Sequence, residues 1–308
     1  MHKIFYMQRI VVFFFFFLLS LRFQSSIMVT ACASRYDGKL KVLTWNVQML
    51  PRIGALFSES LRKMQNERTD WIIDYLGQND YDVILLQECF DNKFIDAAQE
   101  RLAKRYPYSI LPLRPDWYKL SNGLMILSRY RLETIDQITF GRLSQSDLFT
   151  AKGAILAKIT LDTQSLYIVN THLQADYDEK KYHDIRREQM QSIQKDLIDP
   201  NIKPEDEKLL IAGDLNIEEN IESTEYTALI KEFKWKDWVF DFFKKPSISF
   251  DAENSWNKSC HQSVRLDYFL SNFTSNVLNI KIEKPCKKHG NDLINLADHY
   301  GISAEFSL

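Results

Sequence analysis

The 308-residue sequence is poor in the residues that mark fibrous, disordered or disulfide-rich proteins. It contains only 4 Cys, 9 Gly and 8 Pro, while 45% of its residues are apolar and 26% are charged. This composition excludes a collagen-like chain, a disordered chain and a disulfide scaffold. The chain beyond residue 39 has no internal repeat, low-complexity stretch or Pro/Gly/Ser-rich linker, so a single domain is the simplest account of it.

The sequence also lacks an excess of basic charge. Its 39 Lys and Arg residues are balanced by 41 Asp and Glu residues, which gives a formal net charge of −2. A protein that holds nucleic acid by its phosphates needs a large positive field. The charge balance therefore disfavours non-specific DNA binding. The sequence also has no cluster of His and Cys at zinc-site spacing.

One long apolar run lies near the N-terminus. Basic residues precede Ile10–Leu19, and this run is too short to span a bilayer as a stable helix. Small residues at Ala31 and Ala33 are typical of the positions before a signal-peptidase cut. We predict that residues 1–33 are an export signal and that residues 34–308 form one domain.

Two other interpretations of the N-terminal segment stay open. It could be a retained membrane anchor. It could also be a lipoprotein signal, since Val29–Cys32 resembles a lipobox that would leave Cys32 lipidated. Removal of the segment leaves 36 basic against 41 acidic residues, a formal charge of −5. The predicted location is therefore extracellular, or lipid-anchored at the cell envelope.

Three cysteines remain after such a cleavage. Cys89 ends an apolar run, so we expect a buried and inert thiol. Cys260 and Cys286 could form a disulfide in an oxidising compartment.

Short apolar runs recur along the rest of the chain, and helical spacing recurs over residues 58–76 and 184–197. Several runs are continuously hydrophobic, which suits strands that are covered on both faces. The alternation predicts an α/β fold of two packed β-sheets with helices outside. The predicted strands are Leu40–Trp45, Val83–Gln87, Leu124–Ser128, Ala154–Thr160, Leu166–Asn170, Leu209–Ala212 and Leu266–Leu270.

Nearly every predicted strand ends in a side chain that can bind a metal ion or a phosphate. Taken singly, an Asn or Asp after a strand is most often a turn residue. Ordinary turn chemistry does not require such groups at the ends of many separate strands, so we predict that they meet in one site. They are Asn46, Glu88, His172, Asp214, Asn216, Asp267, Asp298 and His299.

Five stretches that carry these side chains resemble, in order, the motifs of the endonuclease/exonuclease/phosphatase (DNase I-like) superfamily. The fold of that family is a four-layered α/β sandwich of two packed mixed sheets flanked by helices, in agreement with the pattern of strands and helices. The five stretches are Leu43–Val47, Leu86–Glu88, Gly213–Asn216, Arg265–Tyr268 and Asp298–His299.

Three more stretches resemble the secreted neutral sphingomyelinases within that superfamily. This resemblance implies a phosphodiesterase of the phospholipase C type that hydrolyses sphingomyelin to ceramide and phosphocholine. It also implies Mg²⁺ as cofactor, or Mn²⁺ or another divalent cation in its place. The resemblance further implies that the protein contacts a membrane surface, has no nucleic-acid partner and is a monomer. The three stretches are Glu88–Asn92, Phe149–Ala154 and Thr171–Ala175.

The resemblance implies roles for the residues at the strand ends. Glu88 is the implied main ligand of Mg²⁺, with the carbonyl oxygen of Asn46 and the carboxylate of Asp298 close to the ion. The implied general base is His299, since an imidazole titrates near neutral pH. Asp267 would hold the tautomer and orientation of that imidazole.

The resemblance assigns the remaining residues to the substrate. Asn216 would donate a hydrogen bond to a phosphoryl oxygen, while Asp214 steadies the attacking water or the leaving oxygen. His172 would stabilise the phosphate or protonate the leaving alkoxide. Lys152 is the implied cation near the phosphate, and Asn122 could line the site. A solvated lysine and an ordinary turn residue are the alternatives for these last two.

Substrate recognition leaves further alternatives open. Trp117, Tyr118 and Trp256 could contact a quaternary ammonium group, or they could be packing residues. The related sphingomyelinases carry an aromatic-tipped membrane hairpin, but Lys284–Gly290 has no Trp or Phe. The loop Met49–Phe57 is an alternative apolar contact surface. An exported DNase I-like nuclease of the genotoxin type is the second functional hypothesis, and a non-enzymatic binding module is the third.

Overall fold

A computed structural model describes residues 36–308, apart from 53–58, 116–117, 177–180, 204–206, 221, 259 and 275. The predicted export signal lies outside the described residues, and so does Trp117. Within the described ranges, no helix combines the length and the apolar character that a membrane span requires.

The elements alternate as the sequence predicts, and the seven predicted strands are confirmed to within two or three residues at most ends. The strands are β1 Lys39–Met49, β2 Val83–Cys89, β3 Tyr108–Ile110, β4 Met125–Ser128, β5 Arg131–Thr139, β6 Gly153–Leu161, β7 Gln164–His172, β8 Leu209–Asp214, β9 Lys236–Asp237, β10 Asp267–Ser271, β11 Asn276–Glu283, β12 Cys286–His289, β13 Asp292–Asn295 and β14 Gly301–Ser307. The helices are α1 Glu59–Gln78, α2 Asn92–Leu102, α3 His183–Ser192, α4 Thr224–Glu232 and α5 Trp238–Phe243.

The described strands form two mixed six-stranded sheets and one hairpin. The first sheet has the order β11-β14-β1-β2-β4-β3, and the second has the order β5-β6-β7-β8-β10-β9. Strands β1 and β2 are parallel, as are β7 and β8, and the other pairs are antiparallel. The hairpin consists of β12 and β13.

Alternation along the strands sorts the side chains into three apolar layers. In β1, Val42 faces the core between the two sheets, while Leu43 faces helices α1 and α2. In β7, Ile168 faces the same central core, and Val169 faces the layer that contains α3 and α4. Successive side chains of a strand point to opposite faces, so each sheet is covered on both sides. The four-layered α/β sandwich is confirmed.

Helix α2 shows how the local sequence sets these layers. Asp91 caps its first turn by accepting a hydrogen bond from the backbone of Lys93, and its apolar face buries Phe94 and Ala98. Arg52 pairs with the Asp91 carboxylate at 3.0 Å. The cap therefore fixes the start of the helix at Asn92, only four residues after Glu88.

Candidate active site

The polar strand ends meet at one edge of the sandwich because of the strand register. His172 lies beside Asp214 across the parallel pair β7 and β8, and Asp214 lies beside Asp267 across β8 and β10. On the other sheet, Asn46 pairs with Gln87, directly before Glu88. Parallel strands end at the same edge of a sheet, so the fold itself brings these groups together.

A cleft of about 1100 Å³ opens at this edge. Apolar side chains form part of its wall, including Leu50, Phe90, Leu120 and Phe250. Its polar lining includes six of the residues that the sequence predicts for the site: Glu88, Lys152, His172, Asp214, Asn216 and His299.

His299 and Asp267 form a buried pair at the floor of the cleft. Nδ1 of His299 lies 2.8 Å from Oδ2 of Asp267, and the carboxylate is fully buried. This hydrogen bond leaves Nε2 to face the cleft, 3.7 Å from Oδ2 of Asp214. Burial lowers the pKa of His299, but the carboxylates of Asp267 and Asp214 outweigh this effect and hold the pKa well above its usual value.

Asn46 links two carboxylates of the site. Its side-chain NH₂ group donates to Oε1 of Glu88 and to Oδ2 of Asp214, both at 3.0 Å. Its carbonyl oxygen accepts a hydrogen bond from the backbone N–H of Gln48 at 3.1 Å. In this arrangement the amide nitrogen, and not the oxygen, faces Glu88. The structure thus gives Asn46 a carboxylate-positioning contact, whereas its role as an oxygen ligand stays a prediction.

Burial makes the carboxylates of this edge unusually basic. Burial, with a contribution from the neighbouring Asp298, raises the pKa of Glu88 to about 7. Burial also raises the pKa of Asp298, whose Oδ2 accepts a hydrogen bond from Gln48 at 2.8 Å. The pKa of Asp214 rises to about 6 for the same reason. A cation bound among these groups would relieve the cost of burying their charge.

The donor set at Glu88 suits a divalent cation of the Mg²⁺ type. The carboxylate of Glu88 lines the cleft, and the charge of Asp298 lies close enough to raise its pKa. Mg²⁺ prefers such oxygen ligands. The atoms of Asp214, Asp267 and His299 also lie within 4.8 Å of one another. The imidazole Nδ1 of that second group is already bonded to Asp267, so the trio fits a general base better than a metal centre.

Lys152 is buried beside His172. Its ammonium group donates to Oδ2 of Asp147 and to the carbonyl oxygen of Leu173, both at 2.8 Å, and lies 3.0 Å from Nε2 of His172. An ammonium group can only donate, so Nε2 of His172 is the acceptor and Nδ1 carries its proton. Burial, the ammonium of Lys152 and the nearby His299 hold the pKa of His172 well below its usual value.

Left-handed backbone conformations orient two of the site residues. Glu88 has φ of 57° and Asn216 has φ of 52°, values that non-glycine residues rarely adopt. Asn216 donates from Nδ2 to the carbonyl oxygen of Leu173 at 3.1 Å. Gly213 has φ of +143°, and a Cβ there would lie 1.9 Å from the carbonyl oxygen of Thr171. Only glycine lets β8 approach β7 so closely beside Asp214.

A buried cluster of charged side chains around Arg265 supports the backbone of Asp267, and the sequence did not predict this cluster. Arg265 is fully buried, and it contacts the carboxylates of Glu219 and Asp237. Its Nη1 donates to the backbone carbonyl of Asp267 at 3.2 Å. The guanidinium also stacks on the ring of Tyr268 at 4.1 Å. The motif Arg265–Tyr268 hinted at this arginine, but Glu219 and Asp237 lie in unrelated segments.

Several expectations differ from the structure. Asn122 does not line the cleft, and its side-chain oxygen accepts from the backbone of Leu113 and Leu124. The disulfide that Cys260 and Cys286 could have formed is not present, and both residues are free thiols. Cys260 lines the cleft, whereas Cys286 is exposed on the β12–β13 hairpin. Cys89 is fully buried, as predicted, and burial raises the pKa of its thiol.

The structure selects between the alternatives for the aromatic and apolar contact residues. The ring of Trp256 is covered by the guanidinium of Arg68 at 4.8 Å, and its indole N–H donates to the carbonyl of Asn295, so it packs rather than facing a ligand. Met49 is a core residue, while Leu50 and Pro51 line the cleft. Tyr118 is 65% exposed.

Comparison with known proteins decides the family of this fold and site. The model of the endonuclease/exonuclease/phosphatase family matches residues 43–275. The chain belongs to this family. Sphingomyelinase C of Bacillus cereus is 30% identical over 227 residues, which are 65% of this chain and 64% of that protein. The chain thus spans somewhat less than two thirds of the length of this relative.

Solved structures share the same sandwich as this endonuclease/exonuclease/phosphatase family member. A Staphylococcus aureus beta toxin variant crystallised with bound magnesium ions has a TM-score of 0.70 and 23% identity, and the match covers 88% of this chain and all of that one. D. rerio TDP2 complexed with a single-strand DNA product has a TM-score of 0.64 and 19% identity, with coverage of 88% and 100%. At these identities the likeness defines the fold alone.

Proposed function

We propose that this protein is a Mg²⁺-dependent phosphodiesterase of the phospholipase C type that hydrolyses sphingomyelin to ceramide and phosphocholine. The observation that carries the proposal is the joint position of Glu88 and His299. Both line one cleft, although they lie more than two hundred residues apart in the chain. The similarity to a sphingomyelinase C supports the choice of substrate.

The chain supplies a base and its partner for the attack of water. His299 takes the proton of the attacking water at Nε2, while Nδ1–H stays bonded to the carboxylate of Asp267. The imidazolium that forms faces Asp267 and Asp214, which stabilise its charge. Such help from a positioned base is typically worth about 10²- to 10⁴-fold in rate.

Other side chains act on the phosphate. Asn216 reaches the cleft and would donate to a phosphoryl oxygen as charge develops in the transition state. The ammonium group of Lys152 already donates to Asp147, Leu173 and His172, so it would act on the phosphate through its charge. Asp214 lies between the two imidazoles, with Oδ2 3.5 Å from Nε2 of His172 and 3.7 Å from Nε2 of His299. It can therefore orient the water or the leaving oxygen.

Mg²⁺ would be held by Glu88, with Asp298 and Asn46 close by. When bound, the ion supplies a Lewis acid that neutralises the phosphate and the developing charge. Asn46 positions the Glu88 carboxylate through its 3.0 Å hydrogen bond. Gln48 holds the carboxylate of Asp298 through a 2.8 Å hydrogen bond.

We also propose that the protein is exported, on the strength of residues 1–33. Mass spectrometry of the mature chain tests this proposal. An N-terminus at Ser34 supports signal-peptidase cleavage, while a lipidated N-terminal Cys32 supports the envelope-anchored alternative. A retained Met1 in a membrane-bound protein supports the retained anchor, while a retained Met1 in a cytoplasmic protein would contradict export.

A substrate panel tests the proposed reaction. The purified protein is offered sphingomyelin vesicles, phosphatidylcholine vesicles, plasmid DNA and single-stranded DNA, each with Mg²⁺ and with chelator. We expect Mg²⁺-dependent release of phosphocholine from sphingomyelin and no DNA cleavage. The matched controls are His299→Ala, which should abolish turnover, and His183→Ala on the exposed surface of α3, which should not. Cleaved DNA with intact lipid would contradict the proposal and favour the nuclease hypothesis.

A further inference from the structure

Two consecutive apolar side chains protrude at the rim of the cleft. Leu148 is 54% exposed and Phe149 is 69% exposed. Both belong to a 3₁₀ turn over Gln145–Phe149. Tyr118 is 65% exposed, and its neighbour Leu120 donates a backbone hydrogen bond to the carbonyl of Phe149 at 2.9 Å. We call Tyr118, Leu148 and Phe149 the rim patch. Leu148 and Phe149 are consecutive, and adjoining exposed apolar side chains can mark an interaction surface.

The turn that presents the rim patch is firmly anchored. Asp147 points inward, where it accepts from Lys152 at 2.8 Å and from the backbone of Ala175 at 3.1 Å. Thr150 closes the turn with its N–H and its hydroxyl, which both donate to the carbonyl of Asp147. The exposure of Leu148 and Phe149 is therefore imposed by the hydrogen bonds of a buried neighbour. Their exposure is therefore not the result of a flexible loop.

The charges around the rim patch suit a phospholipid surface. The one ionisable residue of the turn, Asp147, is buried and paired, so the turn presents no charge of its own to the outside. Lys119 follows Tyr118 directly, and Arg114 and Asp116 precede it, so the segment carries one net positive charge. An apolar tip beside basic side chains matches the acyl region and the phosphate groups of a bilayer, respectively.

The rim patch is continuous with the mouth of the cleft. Ser146 and Asp147 before the two apolar residues, and Thr150 after them, line the cleft, while Leu148 and Phe149 themselves do not. A flat surface that covers the rim patch would therefore also cover the opening. A protruding tip can enter a deformable bilayer. A folded protein partner would instead need a groove that receives the tip.

We propose that the rim patch is the membrane-docking element of this protein, and that Leu148 and Phe149 enter the bilayer surface so that the cleft faces the lipid headgroups. The proposal rests on the proposed function, since a two-chain lipid must be reached within its bilayer. The hairpin β12–β13 offers Leu293, which is 64% exposed, but no Trp or Phe. The 3₁₀ turn thus carries the aromatic side chain that the hairpin lacks.

Vesicle sedimentation tests the proposal without any turnover. The full chain is mixed with vesicles of equal parts sphingomyelin and phosphatidylcholine in the presence of chelator. Replacing both Leu148 and Phe149 by Ser should weaken partitioning about 100-fold, or roughly 10-fold for each side chain. The matched control replaces Phe242 and Leu278 by Ser. These residues are 41% and 44% exposed on α5 and β11, and this variant should bind like wild type.

A second variant and a soluble substrate complete the test. Phe149→Trp should keep vesicle binding, and its added fluorescence should shift to the blue on vesicles. The Leu148→Ser/Phe149→Ser variant should lose turnover of sphingomyelin vesicles while it hydrolyses a water-soluble aryl phosphocholine diester like wild type. Failure of wild type to hydrolyse the soluble diester would refute the proposed activity alone, because the sedimentation result does not depend on turnover.

Three results would overturn the docking proposal. The first is undiminished vesicle binding by the Leu148→Ser/Phe149→Ser variant. The second is loss of binding on Leu293→Ser alone, which would assign docking to the hairpin. The third is a change of oligomeric state with unchanged vesicle binding, which would make the rim patch a contact between two copies of the chain.

Discussion

Asp267→Asn is the most informative single change at the proposed base. The substitution keeps the shape of the side chain but removes the charge 2.8 Å from Nδ1 of His299. The amide can also present its NH₂ group to the ring, which would stabilise the wrong tautomer. We expect kcat to fall by about 10²- to 10⁴-fold, equivalent to about 3–5 kcal/mol of transition-state stabilisation.

The pH profile separates this role from a structural one. The Asp267 carboxylate is the foremost of the groups that raise the pKa of His299, so its neutralisation lowers that pKa. A general base must be deprotonated, so activity rises as pH passes through its pKa. The acidic limb of the Asp267→Asn profile should therefore move to lower pH, while the plateau falls. The assay is the initial rate of phosphocholine release across pH.

Asp82→Asn is the matched control. Asp82 is a half-buried carboxylate that accepts from the backbone of Lys41 at 2.8 Å, near the start of β1 and away from the cleft. Its substitution should leave the profile unchanged. If Asp267→Asn kept most of the wild-type rate and its acidic limb did not move, the assignment of His299 and Asp267 as a base and its partner would be refuted.

Three further predictions concern the scaffold. Gly213→Ala should lower the free energy of unfolding by about 3 kcal/mol in urea titration, because its Cβ would meet the carbonyl oxygen of Thr171 at 1.9 Å. Arg265→Met should lower it by about 3–5 kcal/mol, since two buried carboxylates lose their partner. Replacing Cys260 and Cys286 by Ser should leave the melting temperature under oxidising conditions unchanged, because the two thiols are free.

The results that contradict these predictions are distinct. A Gly213→Ala variant as stable as wild type would mean that β7 and β8 can separate locally. Wild-type stability of Arg265→Met would mean that the buried carboxylates become protonated or hydrated at little cost. A drop of several degrees on removing the two cysteines, with neither Cys260 nor Cys286 reacting with a thiol reagent in the oxidised wild type, would reveal a disulfide.

Much of the fold could be predicted from the sequence because its apolar runs are long and continuous. Strands β1, β2, β7 and β8 form the middle of the two sheets, and burial on both faces gives them an unmistakable composition. The edge strand β5 is only partly buried, so its hydrophobic pattern is weak and does not predict a strand. The same holds for β11, which is largely exposed on one face.

The site was predictable in part because strand register concentrates its residues. Polar groups that end adjacent strands lie together, so Asp214, His172 and Asp267 could be grouped from the strand pattern and the motifs. Their supporting contacts could not. Gln48 reaches Asp298 across 250 positions of the chain, and Arg265 reaches Glu219 across 46. Such contacts depend on tertiary geometry, and no local signal marks them.

For a related reason, the sequence left open whether Cys260 and Cys286 pair. The number of cysteines and export to an oxidising compartment favour disulfides, but they do not identify which cysteines pair. Cys260 lies in the wall of the cleft, whereas Cys286 begins β12 on the exposed hairpin. The sequence carries no information on the distance between two such surface positions.

The proposed reaction depends most on a divalent ion at Glu88 that acts on the same phosphate as His299. The most direct measurement is the rate of phosphocholine release from sphingomyelin vesicles against Mg²⁺ concentration, for wild type and for Glu88→Gln. Wild type should be inactive in chelator and should saturate with Mg²⁺, while Glu88→Gln should need at least about 10-fold more Mg²⁺. Undiminished turnover in chelator, or the same Mg²⁺ dependence for both proteins, would contradict the account.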